Sequence, residues 1–370
     1  MDTRTTKVLS AIAIAGFMMG CTARKIESNV DVVKASSLTN ATNHSVVYSL
    51  PATALRVEVT AVKTVKKVGP FYRYAQKYFN ISNVVTEDSE EWTIRSVKVT
   101  PYGKPDPNKV FAILQKGPGV AQNISVNNLG VLCGINIQAP CLCPEPYPTV
   151  QMAGEPTLET VNFDAVPMLE KQLVTTSTAT MADETAQYIY KIRKRRSRIF
   201  TSDYPNLPPD GQAYQTVKDE VATLEHDFME LFAGKIVQVE IVKSFEYIPA
   251  RESVDNNVLF RFSSKKGFVD RMDLSGTPVY AEVKDLKART LPDTPLAQPK
   301  KGNVPNGLFY NSPGLAKVRI LDRNVPVFEQ EFELAQFGQL MSLPVETMLQ
   351  PNLKIEMSSV TGSILSISNK

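Results

Sequence analysis

The chain has 370 residues, 43% hydrophobic and 21% charged, with a formal net charge of +3. These proportions describe an ordinary globular protein long enough for more than one core, and they exclude both a disordered chain and a global nucleic-acid-binding field. The only histidines are His44, in a polar lead-in, and His226, in a charged helical pattern. That leaves little room for imidazole acid–base chemistry or histidine-based metal sites.

The chain opens with MDTRTTK, followed by the 13-residue apolar run VLSAIAIAGFMMG and then Cys21. A charged start, a short apolar run and a small residue before a cut describe a secretory signal peptide. The run is too short to span a bilayer core as a helix, and nothing after residue 20 is long and apolar enough to do so. FMMGC resembles a lipobox, with Met18 where leucine is usual and with Gly20 and Cys21 in place. Cys21 is therefore the expected lipidation site, and two or three acyl chains would anchor the protein stably. Residues 21–45 are polar and read as a flexible tether.

From Val46 the pattern is β. LRVEVTAVK alternates Leu55, Val57, Val59 and Ala61 against polar neighbours, as a half-buried strand does. EWTIRSVKVT is a second strand, with a bulge where the apolar phase shifts between Ile94 and Val97. KVFAIL and NLGVLCGINI are further strands. GPFYRYAQKYFNI predicts a short helix whose Tyr72, Tyr74 and Tyr78 build a satellite core. The acidic run TEDSEEW carries Glu87, Asp88, Glu90 and Glu91. It reads as a surface turn, and it is the one place where paired carboxylates leave glycoside hydrolysis open.

LCGINIQAPCLCPEP holds Cys133, Cys141 and Cys143. Outside the cytosol a disulfide from Cys133 to Cys141 or to Cys143 is possible, leaving one thiol over. The alternatives are three partly buried small apolar residues, or thiolate metal binding that lacks a fourth ligand.

Between about 182 and 233 the period becomes helical. Val217, Val221, Leu224, Phe228 and Leu231 recur at four- and three-residue steps, with Asp210 suited to the N-cap and Gly234 to the C-terminal cap. Upstream, Thr185, Ile189, Ile192, Arg196 and Ile199 form a comparable seam. The turn-forming segment TSDYPNLPPDG lies between, so the two stretches predict an αα-hairpin. KIRKRRSR (191–198) falls on the first helix. Arg193 and Arg195 flank its seam and are expected near Glu220 of the second helix. Lys191, Lys194 and Arg198 face outward, free to meet lipid phosphates or an acidic partner. Nucleic acid is not expected, because no aromatic–basic stacking platform accompanies the run.

Strands return after Gly234: KIVQVEIVK, NVLFRFS, PVYAEVKDL, LAKVRILDR, VFEQEFEL, NLKIEMSS and SILSIS, the last two forming a terminal hairpin. Residues 291–307 are a proline-rich loop. YSLP (48–51) and YNSP (310–313) place a tyrosine and a proline at equal spacing, hinting at two related β-halves. No phosphate loop, dinucleotide fingerprint or GxSxG motif appears, so no cofactor, metal or catalytic residue is expected.

The lipobox, YSLPATALRVEVTAVKTVKKVGPFYRYAQKYFNI, ETAQYIYKIRKRRSRIFTSDYPNLPPDG, LEHDFMELFAGK and NGLFYNSPGLAKVRI, taken in that order, resemble a Bacteroidota lipoprotein family catalogued only as a domain of unknown function. The resemblance runs from about residue 45 to 370. It implies a secreted, outer-membrane-associated protein and carries no activity. Thr22 in place of a retention aspartate favours the outer membrane, and the lack of an acidic cluster after Cys21 favours its periplasmic face.

The expected fold is α+β, predominantly antiparallel β, with two β-rich halves and a central antiparallel αα-hairpin. The expected segments are a signal peptide (1–20), a tether (21–45), an N-terminal β-rich domain (46–175), the helical hairpin (176–235) and a C-terminal β-rich domain (236–370). The expected role is non-enzymatic: a binding or scaffolding component with a membrane anchor and an envelope protein or glycan as partner. A carboxylate-based, glycan-directed envelope hydrolase and a surface adhesin-like subunit are the alternatives.

Overall fold

A computed structural model describes residues 30–37, 45–115, 123–137, 154–174, 177–201, 211–250, 254–287, 307–348, 350 and 352–369. In chain order the elements are β1 (Val30–Lys34), β2 (Ser45–Lys67), α1 (Ala75–Phe79), β3 (Ser89–Gln115), β4 (Ile124–Val126), β5 (Leu132–Ile135), α2 (Thr178–Phe200), α3 (Gly211–Ala233) and β6 (Lys235–Tyr247). They continue with β7 (Val254–Ser263), β8 (Gly267–Val269), β9 (Thr277–Asp285), β10 (Gly307–Asp322), β11 (Val325–Pro344), α4 (Val345–Met348), β12 (Leu353–Met357) and β13 (Ile364–Asn369). The fold is α+β with strands predominant, and every pairing between named strands is antiparallel.

Three sheets form, in the orders β1-β3-β2-β6, β11-β10-β9-β7-β8 and β13-β12-β5-β4. The first two face each other across a core of Leu55, Val57, Val59 and Ala61 from β2, Val279, Ala281 and Val283 from β9, and Ala316, Val318 and Ile320 from β10. The period-2 alternation in these strands turns one side chain in two toward that core, as expected of a half-buried sheet. A second core lies where the third sheet covers the other ends of β2, β3 and β10, and includes Tyr48, Leu50, Phe111, Leu308, Ile355 and Met357.

The sheets cut across the segments drawn from sequence. β6, beyond residue 235, pairs with β2 from Leu55 to Lys67. β12 and β13 join β4 and β5 in one sheet. The 46–175 and 236–370 stretches thus share their sheets, and the two long hairpins bury apolar faces against each other across the first core. The tether is also shorter than expected. Val30–Lys34 pairs with Phe111–Gln115 of β3, burying Val30 and Val32. That two-residue alternation was hidden in a polar context. Residues 1–29 and 38–44, including the signal peptide, Cys21 and His44, lie outside the described residues, as do Asp210, the 202–210 connection and most of the 291–307 loop.

β2 and β3 are single strands of 23 and 27 residues. The expected bulge is present: Thr60 pairs with Ser96 and Ala61 with Ile94, leaving Arg95 as the extra residue. A larger irregularity falls at Pro51. Ser49 pairs with Val110 and Pro51 with Pro105, so five steps on β3 answer two on β2. At Pro313 the same thing happens: Ser312 pairs with Gln339 and Gly314 with Leu334, again five steps for two. The two Tyr-x-x-Pro segments therefore mark equivalent breaks in two long hairpins, each forced where proline removes a ladder donor.

The two breaks grip one another. Lys109 Nζ, on the β3 excursion, donates to Asn311 Oδ1 at 3.0 Å. Gln336, on the β11 excursion, bonds both the N–H and the carbonyl of Thr53, at 3.1 and 2.8 Å. Asn311 Nδ2 donates to the carbonyls of Pro51 and Thr361 at 3.2 and 2.9 Å. The Tyr48 hydroxyl accepts from the Phe309 N–H at 3.1 Å, and burial pushes its pKa far above the ordinary phenol value. Thr53 and Asn311 are fully buried, and their polar groups are bonded in this way.

α4 buries Val345 and Met348 in the second strand core, whereas α1, α2 and α3 stand apart from the sheets. Their core consists of Phe71, Ala75, Ala182, Ala186, Ile189, Ile192, Phe228, Leu231 and Phe232, with no strand residue among them. The β2–β3 connection supplies one wall, and its Phe71 and Val85 N–H groups donate to the Leu231 and Ala233 carbonyls near the C-terminus of α3, each at 2.9 Å. These bonds satisfy carbonyls that a helix end leaves open. Gly234 follows at φ +85°, the left-handed position that glycine adopts without a Cβ penalty.

Candidate functional site

α2 starts at Ser177, whose hydroxyl caps the Thr180 N–H. Thr185, Ile189, Ile192 and Ile199 are buried, and on α3 so are Phe228 and Leu231, while Val217, Val221 and Leu224 are half-buried. Contacts run in opposite chain directions. Tyr188 packs on Phe228, Arg193 meets Glu225, and the Tyr214 hydroxyl donates to the Ile199 carbonyl at 3.0 Å.

The basic run finds its counter-charge on α3 at a residue other than the expected one. Glu225, not Glu220, takes both arginines: Arg193 Nε lies 2.8 Å from Oε1 and Arg196 Nη1 2.5 Å from Oε2. Glu220 and Arg195 are exposed. The reason is helical geometry. Glu225 is four residues past Val221 and three before Phe228, so it sits on the seam, and Arg193 and Arg196 each follow a seam isoleucine by four residues. A carboxylate on an apolar seam is stable only when paired, and that signal was present in the sequence. Arg193 is fixed further by Phe79 and Tyr190, whose ring centroids lie 5.3 and 5.8 Å from its guanidinium carbon.

Beside this pair opens a cleft of about 640 Å³ lined by Arg193, Arg196, Ser197, Phe200, Thr201, Gln215, Lys218, Asp219 and Ala222. Phe200 is 56% exposed. Lys218 Nζ lies 5.1 Å from the Phe200 ring and 5.7 Å from that of Tyr214. The lining carries three cations and one carboxylate, Asp219, which is itself bonded to Gln215 at 2.8 Å; with Glu225 behind it holding two of the cations, one positive charge is in excess. Such a cleft favours an anionic group, because guanidinium forks already oriented on a buried carboxylate lose little freedom when they bind. Elsewhere on α2, Lys191, Lys194, Arg195 and Arg198 are exposed and form no ion pair with any described residue.

Other candidates from the sequence are dispersed. Asp88 bonds Lys67 and the Val68 N–H at 2.8 and 2.7 Å. Glu90 pairs with Lys63 at 3.3 Å and accepts from the Leu158 N–H at 2.6 Å. Both carboxylates thus fasten neighbouring backbone, while Glu87 and Glu91 are exposed. Tyr74 and Tyr78 pack on the helical core. His226 is exposed beside Glu230. Cys133 is buried in β5 and disulfide-bonded, whereas Cys21, Cys141 and Cys143 lie outside the described residues. Among the described residues no group of three or more His, Cys, Asp or Glu could hold a metal, and no helix is long and apolar enough to cross a membrane.

Fold and cleft together define a β-rich α+β protein with a basic helical end. Its sequence matches the family "Domain of unknown function (DUF4831)" over residues 44–365, and the chain belongs to that family. No curated protein and no solved structure matches it.

Proposed function

We propose that this protein is a cell-envelope lipoprotein, held by acyl chains on Cys21 at the periplasmic face of an outer membrane, that binds an anionic group through its helices rather than catalysing a reaction. α2 and α3 act in this reading as one αα-hairpin that presents the cleft. The observation that carries it is the pairing of Arg193 and Arg196 on buried Glu225, which fixes one wall of a cleft that also holds Lys218, on a helix whose Lys191, Lys194, Arg195 and Arg198 form no ion pair with any described residue. The absorption of Asp88 and Glu90 into backbone-fastening bonds supports binding over carboxylate catalysis.

Two measurements test the two parts. Metabolic labelling with a palmitate analogue should mark the wild-type chain and leave Cys21→Ala dark; an unlabelled wild-type chain ends the anchor reading. Crosslinked envelopes should yield a stable partner whose capture falls when Lys194 and Arg198 are both changed to Gln. Recovery that ignores those changes ends the binding reading.

A further inference from the structure

The cleft lies at the opposite end of the molecule from the point where the chain enters its fold. β1 pairs with Phe111–Gln115 of β3, beside Ser45–Tyr48 of β2. From there β2 continues past the irregularity at Pro51 to Lys67, whose continuation packs into the helical core. At about 3.3 Å per residue, that strand can place the helical end at most roughly 70 Å from β1. α3 reaches the sheet at the same far end, since Lys235 pairs with Lys67. The residues lining the cleft belong to neither strand core.

This separation bears on what the basic face meets. Between Cys21 and Val30 the chain can extend about 30 Å at most. A protein held there by its lipid and standing on its β1 end has its cleft well clear of the headgroups that carry the anchor. The partner is then something other than that bilayer surface, and the lining indicates its chemistry. The volume is of the size that holds one or two small rings. Phe200 offers a ring face, Ser197, Thr201 and Gln215 offer neutral hydrogen-bonding groups, and Arg196 and Lys218 offer cations. A phosphate alone would use the cations and leave the rest idle. An acidic protein surface would use the outer stripe and have no need of a concave wall.

We infer that the α2/α3 cleft binds a carboxylate-bearing saccharide unit of an envelope polymer, and that the long β2–β3 arm holds this site away from the anchoring membrane. The saccharide carboxylate meets Arg196 and Lys218, its ring lies on Phe200, and its hydroxyls meet Ser197, Thr201 and Gln215. The inference rests on the binding reading above, whereas acylation of Cys21 is decided separately by the labelling experiment.

The test is calorimetric titration of the full purified chain with a galacturonate disaccharide, the matching neutral disaccharide and inorganic phosphate. Saturable binding of the acidic sugar is expected, at least tenfold tighter than that of the neutral sugar and of phosphate. Phe200→Ala and Lys218→Gln should each weaken it at least tenfold, while Lys265→Gln, exposed in the strand body, leaves it unchanged. Both weakening positions are partly exposed, and unchanged thermal melting of the variants separates lost binding from lost folding. Failure to saturate, phosphate binding as tightly as the sugar, or indifference to Phe200→Ala would each overturn the assignment. So would capture of a protein instead of a glycan in crosslinked envelopes.

Discussion

The strand body and the helical end are built on different terms. In the body, two long hairpins interlock at Pro51 and Pro313, and buried polar groups there are bonded across the crossing. At the helical end a small aromatic core leaves most of the basic run facing water. The contrast teaches that the two regions treat charge differently. The body pairs Lys104 with Glu246 and Arg319 with Glu282 and Glu329, whereas Lys191, Lys194, Arg195 and Arg198 form no ion pair with any described residue.

The largest expected effect separates the two regions outright. Phe232 is fully buried and its ring contacts Phe71, Tyr78 and Phe79. Phe232→Ala should cost about 3–5 kcal/mol, the usual range for an emptied aromatic core site. Hydrogen exchange should show 178–200 and 211–233 losing protection while β2 and β10 keep theirs. Equal loss in both would mean that the two regions fold as one unit.

Next comes the crossing. Asn311→Ala removes the donor to the carbonyls of Pro51 and Thr361, at a cost of about 2 kcal/mol for buried groups left unpaired. The denaturant midpoint of the strand body should fall, with saccharide binding at the helical end intact. Glu225→Gln acts in the other direction. It should cost about 1 kcal/mol, because the freed guanidiniums are partly exposed and can turn to water. The melting of the strand body should stay put, and the salt dependence of anion binding should steepen.

The smallest effect depends on pH. The Lys67 ammonium and the Val68 N–H hold the Asp88 carboxyl below its ordinary pKa. A lowered folded-state value means that the stabilisation is complete above the unfolded carboxylate value and is lost as pH falls through the folded one. Asp88→Asn should therefore melt a little below the parent at pH 7, and the gap should close below about pH 4. A gap that persists in acid would show that Asp88 acts through shape, not charge.

Much of the body was legible in the sequence because its strands alternate cleanly. Leu55, Val57, Val59 and Ala61 announced their face, and the phase slip after Ile94 announced the bulge at Arg95. What sequence did not reveal was which strand pairs with which. Period-2 alternation says that a face is buried without saying against what, so the sharing of sheets between early and late strands was hidden, as was the short β1. The paired prolines gave a true local signal whose meaning appeared only in the register. At the cleft, the outward positions of Lys191, Lys194 and Arg198 follow from helical spacing alone. Glu220 was expected to meet the arginines, although the spacing of Glu225 from Val221 and Phe228 places Glu225 on the seam.

If the proposal holds, the helical end rather than the strand body meets the partner. A photo-crosslinking residue at position 222 in the cleft, compared with one at exposed Val47 in the strand body, tests it in intact envelopes. Crosslinks from position 222 to glycan, with none from position 47, are the predicted result. Crosslinks from position 222 to phospholipid would contradict it.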